Sequence, residues 1–107
     1  MYARLSTYQG SPVPQGGDLA ARSETIVKMV ENLPGFRGAY YLVERETGEA
    51  RSLTLWEDEA SMVGSEEEAA RVRAESSHRE GQRVVSVEHF EVAFVRLAED
   101  TRTNSGA

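Results

Sequence analysis

Several side chains in this sequence have the chemistry to hold and ionise a small aromatic molecule. Arg4 supplies a cation and His89 a titratable imidazole, and four aromatic residues could wall a pocket: Tyr8, Tyr40, Tyr41 and Trp56. Dioxygen reacts slowly with closed-shell molecules, so oxidation without a cofactor requires a substrate ionised to a phenolate or enolate. Such a site needs a water-poor pocket and a base or an oxyanion partner. We therefore take Arg4 and His89 as catalytic candidates and the aromatic set as ligand-binding candidates.

Each candidate also has a structural interpretation. Trp56 is typical of a core aromatic at the end of a strand, Tyr8 and Tyr40 suit an interface between two copies, and His89 suits a structural histidine. Arg4 alternates with tyrosines on a strand, where an unpaired cation would be costly. It therefore needs either a substrate anion or a carboxylate partner, for which the expected residues are Glu44 and Glu91. No general base stands out.

Other kinds of site are not indicated. The run Glu66-Glu67-Glu68, with His78, suggests a metal at first sight, but consecutive helical residues point about 100° apart and cannot converge on one ion. This run is predicted to be a solvated helix face. The sequence has no cysteine and no Ser-His-Asp pattern, phosphate loop or dinucleotide fingerprint. We expect neither a metal nor a cofactor.

Length and charge limit the partners. The chain has 107 residues and a net charge of −6, so we expect one domain that does not bind nucleic acid. No apolar run approaches the roughly 20 residues that span a bilayer, so we expect no membrane insertion and, by default, a cytoplasmic protein. Residues 1–97 are predicted to form the domain, and residues 98–107 a flexible tail.

The hydrophobic periodicity predicts the order strand, helix, strand, strand, helix, strand. Asp18 is a candidate cap of the first helix, Pro34-Gly35 its end, and Ser65 with Glu68 a capping box that divides the second helical region. The predicted elements are a strand over 2–8, a helix from 18 to 33, strands over 37–45 and 50–56, helical segments over 58–63 and 66–79, and a strand over 84–94.

This order predicts an α+β, ferredoxin-like βαββαβ fold, with a four-stranded antiparallel sheet and both helices on one face. Because several strands are apolar on both sides, we expect a homodimer that covers the bare sheet face. Its core is expected to come from the second and fourth strands, including Val85 or Val87, together with Tyr2 and Tyr8.

Two motifs and the last strand carry a resemblance to a known family: Leu33-Pro34-Gly35-Phe36-Arg37-Gly38-Ala39, Leu53-Thr54-Leu55-Trp56-Glu57-Asp58-Glu59-Ala60, and the valine-rich stretch 84–92. Over about residues 2–95 the chain resembles the dimeric α+β barrel superfamily, in its antibiotic biosynthesis monooxygenase-like branch. The resemblance implies an eight-stranded dimeric barrel. It also implies oxidation of a small aromatic or polyketide-like substrate without a cofactor.

The same branch includes haem-degrading enzymes, whose Asn, Trp and His positions fall near Ala3, Ser65 and Glu75. Since all three residues differ, haem degradation is disfavoured, although His78 remains a candidate ligand-binding residue one helical turn away. The alternative to an enzyme is a non-catalytic dimer that binds a small ligand or a protein. A closed pocket between helices and sheet, with at least two polar groups inside, would favour the enzyme.

Overall fold

The structure is a computed structural model that describes residues 1–14, 16 and 18–98. Its elements follow the predicted order, with the second helical region divided in two. They are β1 (Tyr2–Gln9), α1 (Leu19–Val30), β2 (Phe36–Glu44), β3 (Glu49–Trp56), α2 (Glu59–Gly64), α3 (Glu66–Glu80) and β4 (Arg83–Glu91). None of the helices described is long and apolar enough to cross a membrane.

The four strands form one antiparallel sheet in the order β2-β3-β1-β4. The central strand β1 pairs with β3 on one side and with β4 on the other, and the helices pack on one face. The predicted ferredoxin-like α+β fold is therefore confirmed.

The residues predicted to begin and end the first helical region have the expected conformations. Asp18 caps the helix by accepting a hydrogen bond from the Ala21 backbone N–H at 3.0 Å. After the helix, Gly35 adopts a left-handed φ of 80°, and its carbonyl accepts a hydrogen bond from Glu57 N at 2.7 Å. This hydrogen bond ties the residue before β2 to the residue after β3.

The break between α2 and α3 is confirmed, but the capping box is not. Ser65 makes no side-chain cap. Its Oγ donates to the Met62 carbonyl at 2.7 Å and accepts from Arg4 Nη2 at 3.0 Å. The hydroxyl is thus engaged by a residue of β1, a tertiary contact that local sequence cannot reveal.

The last strand is shorter than predicted. It ends at Glu91. Just beyond this end, Val92 N donates one further hydrogen bond to the Met1 carbonyl. The predicted tail, except for Ala98, lies outside the described residues.

Alternation along β1 determines which side chains face the helices. Arg4, Ser6 and Tyr8 share the interior with helical residues, while Ala3 and Leu5 point to the bare face. The prediction that Tyr2 and Tyr8 lie on the bare face is wrong. Both are an even number of residues from Arg4 along β1 and therefore point to the same side as Arg4, toward the helices.

The valines of β4 also fall differently from the prediction. Val87 pairs with Ser6 and therefore lies on the helix side, while Val85 lies at an irregularity in the pairing between Thr7 and Tyr8. The bare face instead carries an apolar set on all four strands: Ala3, Leu5, Tyr40, Leu42, Leu53, Leu55 and Phe90.

Candidate functional site

A cavity lies between the helices and the sheet because the central strands present small side chains to the interior. Ser6 and Ser52 pair across β1 and β3, and Ala50 lies opposite Tyr8. All four of these residues are buried. Serine and alanine leave room that the large apolar residues of an ordinary core would fill.

The cavity has two compartments, which we call the near chamber and the far chamber. The near chamber offers about 30 Å³ to the centre of a water-sized sphere and is distinguished by Arg4, Arg73, Thr54 and Trp56. The far chamber offers about 40 Å³ on the same basis, and its distinguishing residues are Leu19, Arg22, Val43, Ala50, Glu80 and Gln82. Both chambers share a wall, which consists of Tyr8, Ile26, Tyr41 and Ser76.

Arg4 is the most heavily engaged polar residue of the near chamber. It is 2% exposed, and its Nη2 donates to the Met62 carbonyl at 2.8 Å. The guanidinium lies 5.5 Å from the centroid of the Trp56 ring, a cation–π distance. Burial lowers the pKa of Arg4 from its usual value, and the neighbouring Glu66 opposes this effect. An arginine starts so far above neutrality that it stays charged.

The carboxylate partner of Arg4 is Glu66, at 2.9 Å, and not Glu44 or Glu91 as expected. Glu66 also accepts from Arg73 Nη2 at 3.0 Å. Burial raises the pKa of Glu66, but the two guanidiniums outweigh this and hold the pKa below its usual value. Two arginines and one carboxylate give this cluster a formal charge of +1. This charge favours the binding of an additional anion.

His89 on β4 contacts this cluster. Arg4 Nε donates to His89 Nε2 at 3.4 Å, and the same nitrogen lies 3.5 Å from Glu66 Oε1. His89 is 46% exposed and does not line the near chamber, so its contact with the interior runs through Arg4.

The position of Trp56 suits both of its predicted roles, core packing and ligand binding. It is fully buried, packs edge-on against Phe36 with 5.6 Å between centroids, and donates from Nε1 to Thr54 Oγ1 at 3.0 Å. It also lines the near chamber. The indole is therefore both a core residue and one wall of the site.

Tyr8 and Tyr41 supply phenol groups where the chambers meet. The Tyr8 hydroxyl shares a hydrogen bond of 3.2 Å with Ser52 Oγ. Burial, followed by the proximity of Tyr8, raises the pKa of Tyr41 well above its usual value. Tyr41 therefore remains a neutral phenol that can donate a hydrogen bond but cannot act as a base.

Two predicted ligand-binding residues lie elsewhere. Tyr40 is 43% exposed on the bare face of the sheet, because it alternates with Tyr41 along β2. His78 is exposed on α3 and lines neither chamber. The structure thus brings Arg4, Tyr8, Tyr41 and Trp56 to the cavity lining and places His89 outside it, against Arg4. It separates Tyr40 and His78 from the cavity.

Arg73 is a site residue that was not predicted, and the predicted solvated face is wrong for Glu66. Glu67 is exposed and Glu68 pairs with Arg71, as a solvated face would have them. The available signal was the seven-residue spacing of Glu66 and Arg73, which puts both side chains on one face of α3. Among the described residues, no group of three or more acidic or histidine side chains could hold a metal ion.

Comparisons with known proteins identify the fold. No family model matches the chain, and no curated protein matches its sequence. Solved structures do match. A Deinococcus radiodurans protein provisionally assigned as an antibiotic biosynthesis monooxygenase has a TM-score of 0.62 at 9% identity, over 92% of this chain and 99% of that one. The resemblance to antibiotic biosynthesis monooxygenase structures is thereby confirmed at the level of the fold.

Two further structures of this fold have described activities. The haem degrader MhuD of Mycobacterium tuberculosis, with two haems in its active site, has a TM-score of 0.57 at 23% identity, over 90% of this chain and 99% of MhuD. SnoaB of Streptomyces nogalater, a cofactor-independent oxygenase, has a TM-score of 0.53 at 17% identity, over 92% of this chain and 97% of SnoaB. At these identities the similarity establishes the fold and not the reaction.

Proposed function

We propose that this protein oxidises a small aromatic molecule bearing an acidic hydroxyl, using dioxygen and no cofactor, in the near chamber. The observation that carries the proposal is the cluster of Arg4, Arg73 and Glu66, which leaves one formal positive charge at the edge of the near chamber. Trp56 and Tyr41 supply aromatic walls beside it. The SnoaB fold adds support, since that protein is a cofactor-independent oxygenase.

The role of the positive cluster is to favour the ionised substrate. A cation within a few ångströms lowers the pKa of an acidic group by about 1 to 3 units, and the effect is larger where water is excluded. Arg4 is held in place by Met62, Ser65 and Glu66. A guanidinium fixed in this way is already oriented when the oxyanion forms.

The reaction then needs no electrons from the protein. The ionised enol supplies them to dioxygen, and a carbon–oxygen bond forms at the carbon that is a CH₂ group in the ketone tautomer. The resulting peroxide takes up a proton from solvent, and the hydroperoxide loses water. Overall, CH₂ and O₂ give C=O and H₂O. Among the described residues, no carboxylate or imidazole lines the near chamber. The substrate proton therefore passes to a base in solvent, while the chain stabilises the anion and limits access of water.

Haem does not fit this cavity. Within the described part of the chain, neither chamber is lined by a histidine, cysteine or methionine. The only tyrosines lining them are Tyr8, which is hydrogen-bonded to Ser52, and Tyr41, whose raised pKa keeps it a neutral phenol. His89 is occupied by Arg4, and His78 is exposed away from both chambers. We therefore derive no step through haem, despite the similarity of the fold to MhuD.

The proposed working unit is a homodimer that covers the bare sheet face. Leu5, Leu53 and Tyr40 are cross-strand neighbours at the centre of that face. Tyr40 is 43% exposed and Phe90, at its other edge, 47%. A second copy would bury these rings and leucines at about 25 cal/mol per Å² of apolar surface.

Oxygen uptake tests the proposed reaction. We expect the protein to consume dioxygen with at least one member of a panel of anthrones, with one labelled oxygen atom entering the new ketone. Arg73→Gln should reduce the rate at least about tenfold, because one cation of the cluster is lost. The matched control Arg79→Gln, on the exposed side of α3, should leave the rate unchanged. Panel compounds that bind without any oxygen uptake would indicate a non-catalytic binding protein instead.

A further inference from the structure

We infer that the far chamber is a second subsite that takes an uncharged apolar group, so that the ligand is an elongated amphiphile with its anionic end at Arg4 and Arg73. Ala50 sets the length that this ligand can have. The inference rests on the proposed function, since both use one cavity, but it concerns binding and not oxidation.

The far chamber exists because of one small residue in a cross-strand row. Ala50 on β3 lies between Tyr8 on β1 and Val43 on β2. It is 6% exposed, and all three residues line the far chamber. A larger side chain at position 50 would project from the sheet into this space. The neighbouring row repeats the arrangement, with Ser52 between Ser6 and Tyr41 under the near chamber.

Charge gives the ligand its direction. The charged residues lining the far chamber are Arg22 and Glu80, whose Nε and Oε1 are 2.7 Å apart, so their charges cancel. The remaining lining includes Leu19, Ile26 and Val43. The near chamber has the excess positive charge. A buried anion is therefore stabilised at the near end only, and the far end favours apolar groups.

The two chambers lie side by side, with one wall in common. Tyr8, Ile26, Tyr41 and Ser76 line both. The Tyr8 hydroxyl is turned toward Ser52 by their hydrogen bond. The inferred ligand extends from the arginine cluster along this wall to Ala50.

Calorimetric titration with redox-inert probes tests the subsite separately from the reaction. The probes are benzoate, 4-butylbenzoate and the uncharged 4-butylbenzyl alcohol. We expect the butyl chain to strengthen benzoate binding at least about tenfold, since each buried methylene contributes. The alcohol should bind at least about tenfold more weakly than 4-butylbenzoate, because it lacks the charge that Arg4 and Arg73 recognise.

Two variants localise the effect. Ala50→Leu, which fills the far chamber from its floor, should abolish the gain from the butyl chain and leave benzoate affinity within about twofold. Val43→Phe, which fills it from β2, should do the same if Ala50→Leu fails to fold, as judged by circular dichroism. Ala70→Leu, the same change as the first at an exposed position of α3, should keep the gain.

The outcomes separate the subsite from the reaction. A butyl gain that persists in a folded Ala50→Leu or Val43→Phe protein would overturn the subsite, as would equal binding of alcohol and carboxylate or no butyl gain in the unmodified protein. None of these binding results decides whether the protein takes up oxygen with the aromatic panel. Conversely, the expected binding pattern without oxygen uptake would leave the subsite standing and refute only the oxidation.

Discussion

Glu66 and Arg73 lie seven residues apart on α3, and Glu66 Oε2 accepts a hydrogen bond from Arg73 Nη2 at 3.0 Å. The other carboxylate oxygen lies 2.9 Å from Arg4 on β1. One acidic residue thus fixes two cations from different elements at the near chamber. The exposed fraction of its side chain is 41%, against 3% and 12% for Arg4 and Arg73, so the carboxylate covers the cluster from the solvent side.

Acid should weaken the fold partly through Glu66. Its native pKa lies below the usual 4.5: burial raises it, but Arg4 and Arg73 outweigh burial. The unfolded chain therefore binds the proton more tightly, so the stabilisation is complete above about pH 4.5 and is lost as the pH falls through the lowered native pKa. Urea midpoints measured from neutral pH down to pH 3 should fall less steeply in Glu66→Gln than in the exposed control Glu67→Gln. Parallel curves would refute this role.

Arg4→Met should destabilise the protein by about 2 to 3 kcal/mol, because it removes charged hydrogen bonds from the Met62 carbonyl and Ser65 in a buried setting. The comparison is Arg37→Gln, which breaks an exposed pair with Glu57 and should change stability by about 0.5 kcal/mol or less. Chemical denaturation of both variants measures the difference. Equal effects would show that the Arg4 contacts contribute little.

Haemin at micromolar concentration should give no specific Soret shift with this protein. Among the described residues, no histidine lines either chamber, and the exposed His78 lies outside both. Absorbance titration is the measurement. A sharp, stoichiometric shift that disappears in His78→Ala would show that this residue does bind the iron.

Leu53→Asp should convert a dimer to a monomer or prevent folding. Leu53 pairs with Leu5 and Tyr40 at the centre of the bare face, and a second copy would bury the new carboxylate without a partner. Light scattering should give twice the chain mass for the unmodified protein and for Glu67→Ala. A single-chain mass for the unmodified protein, with native circular dichroism, would refute the dimer.

The order of elements was predictable because its signals are local. Asp18 caps α1, and Gly35 and Gly81 take the positive φ angles that end helical regions. Alternation along β1 also identified Arg4 and Tyr8 as residues of one face. The resemblance in the turn after α1 and around Trp56 added the fold.

The electrostatics of the site could not be predicted in the same way. The partner of Arg4 comes from α3, 62 positions along the chain, and several glutamates fit it equally well by sequence. The irregular pairing near Val85 changed the parity of β4, which sequence alternation alone does not reveal. The cavity depends on small side chains at Ser6, Ala50 and Ser52, whose proximity appears only once the strand register is known.

The ionisation of a bound phenol tests the positive cluster itself. An absorbing phenol such as 4-nitrophenol, titrated at saturating protein, should show a pKa lowered by about 1 to 3 units, because Arg4 and Arg73 stabilise the phenolate. Arg73→Gln should remove much of this shift, and Arg79→Gln none of it. A bound phenol whose pKa is unchanged or raised would mean that burial outweighs the arginines, and the near chamber would then not be a site that ionises its substrate.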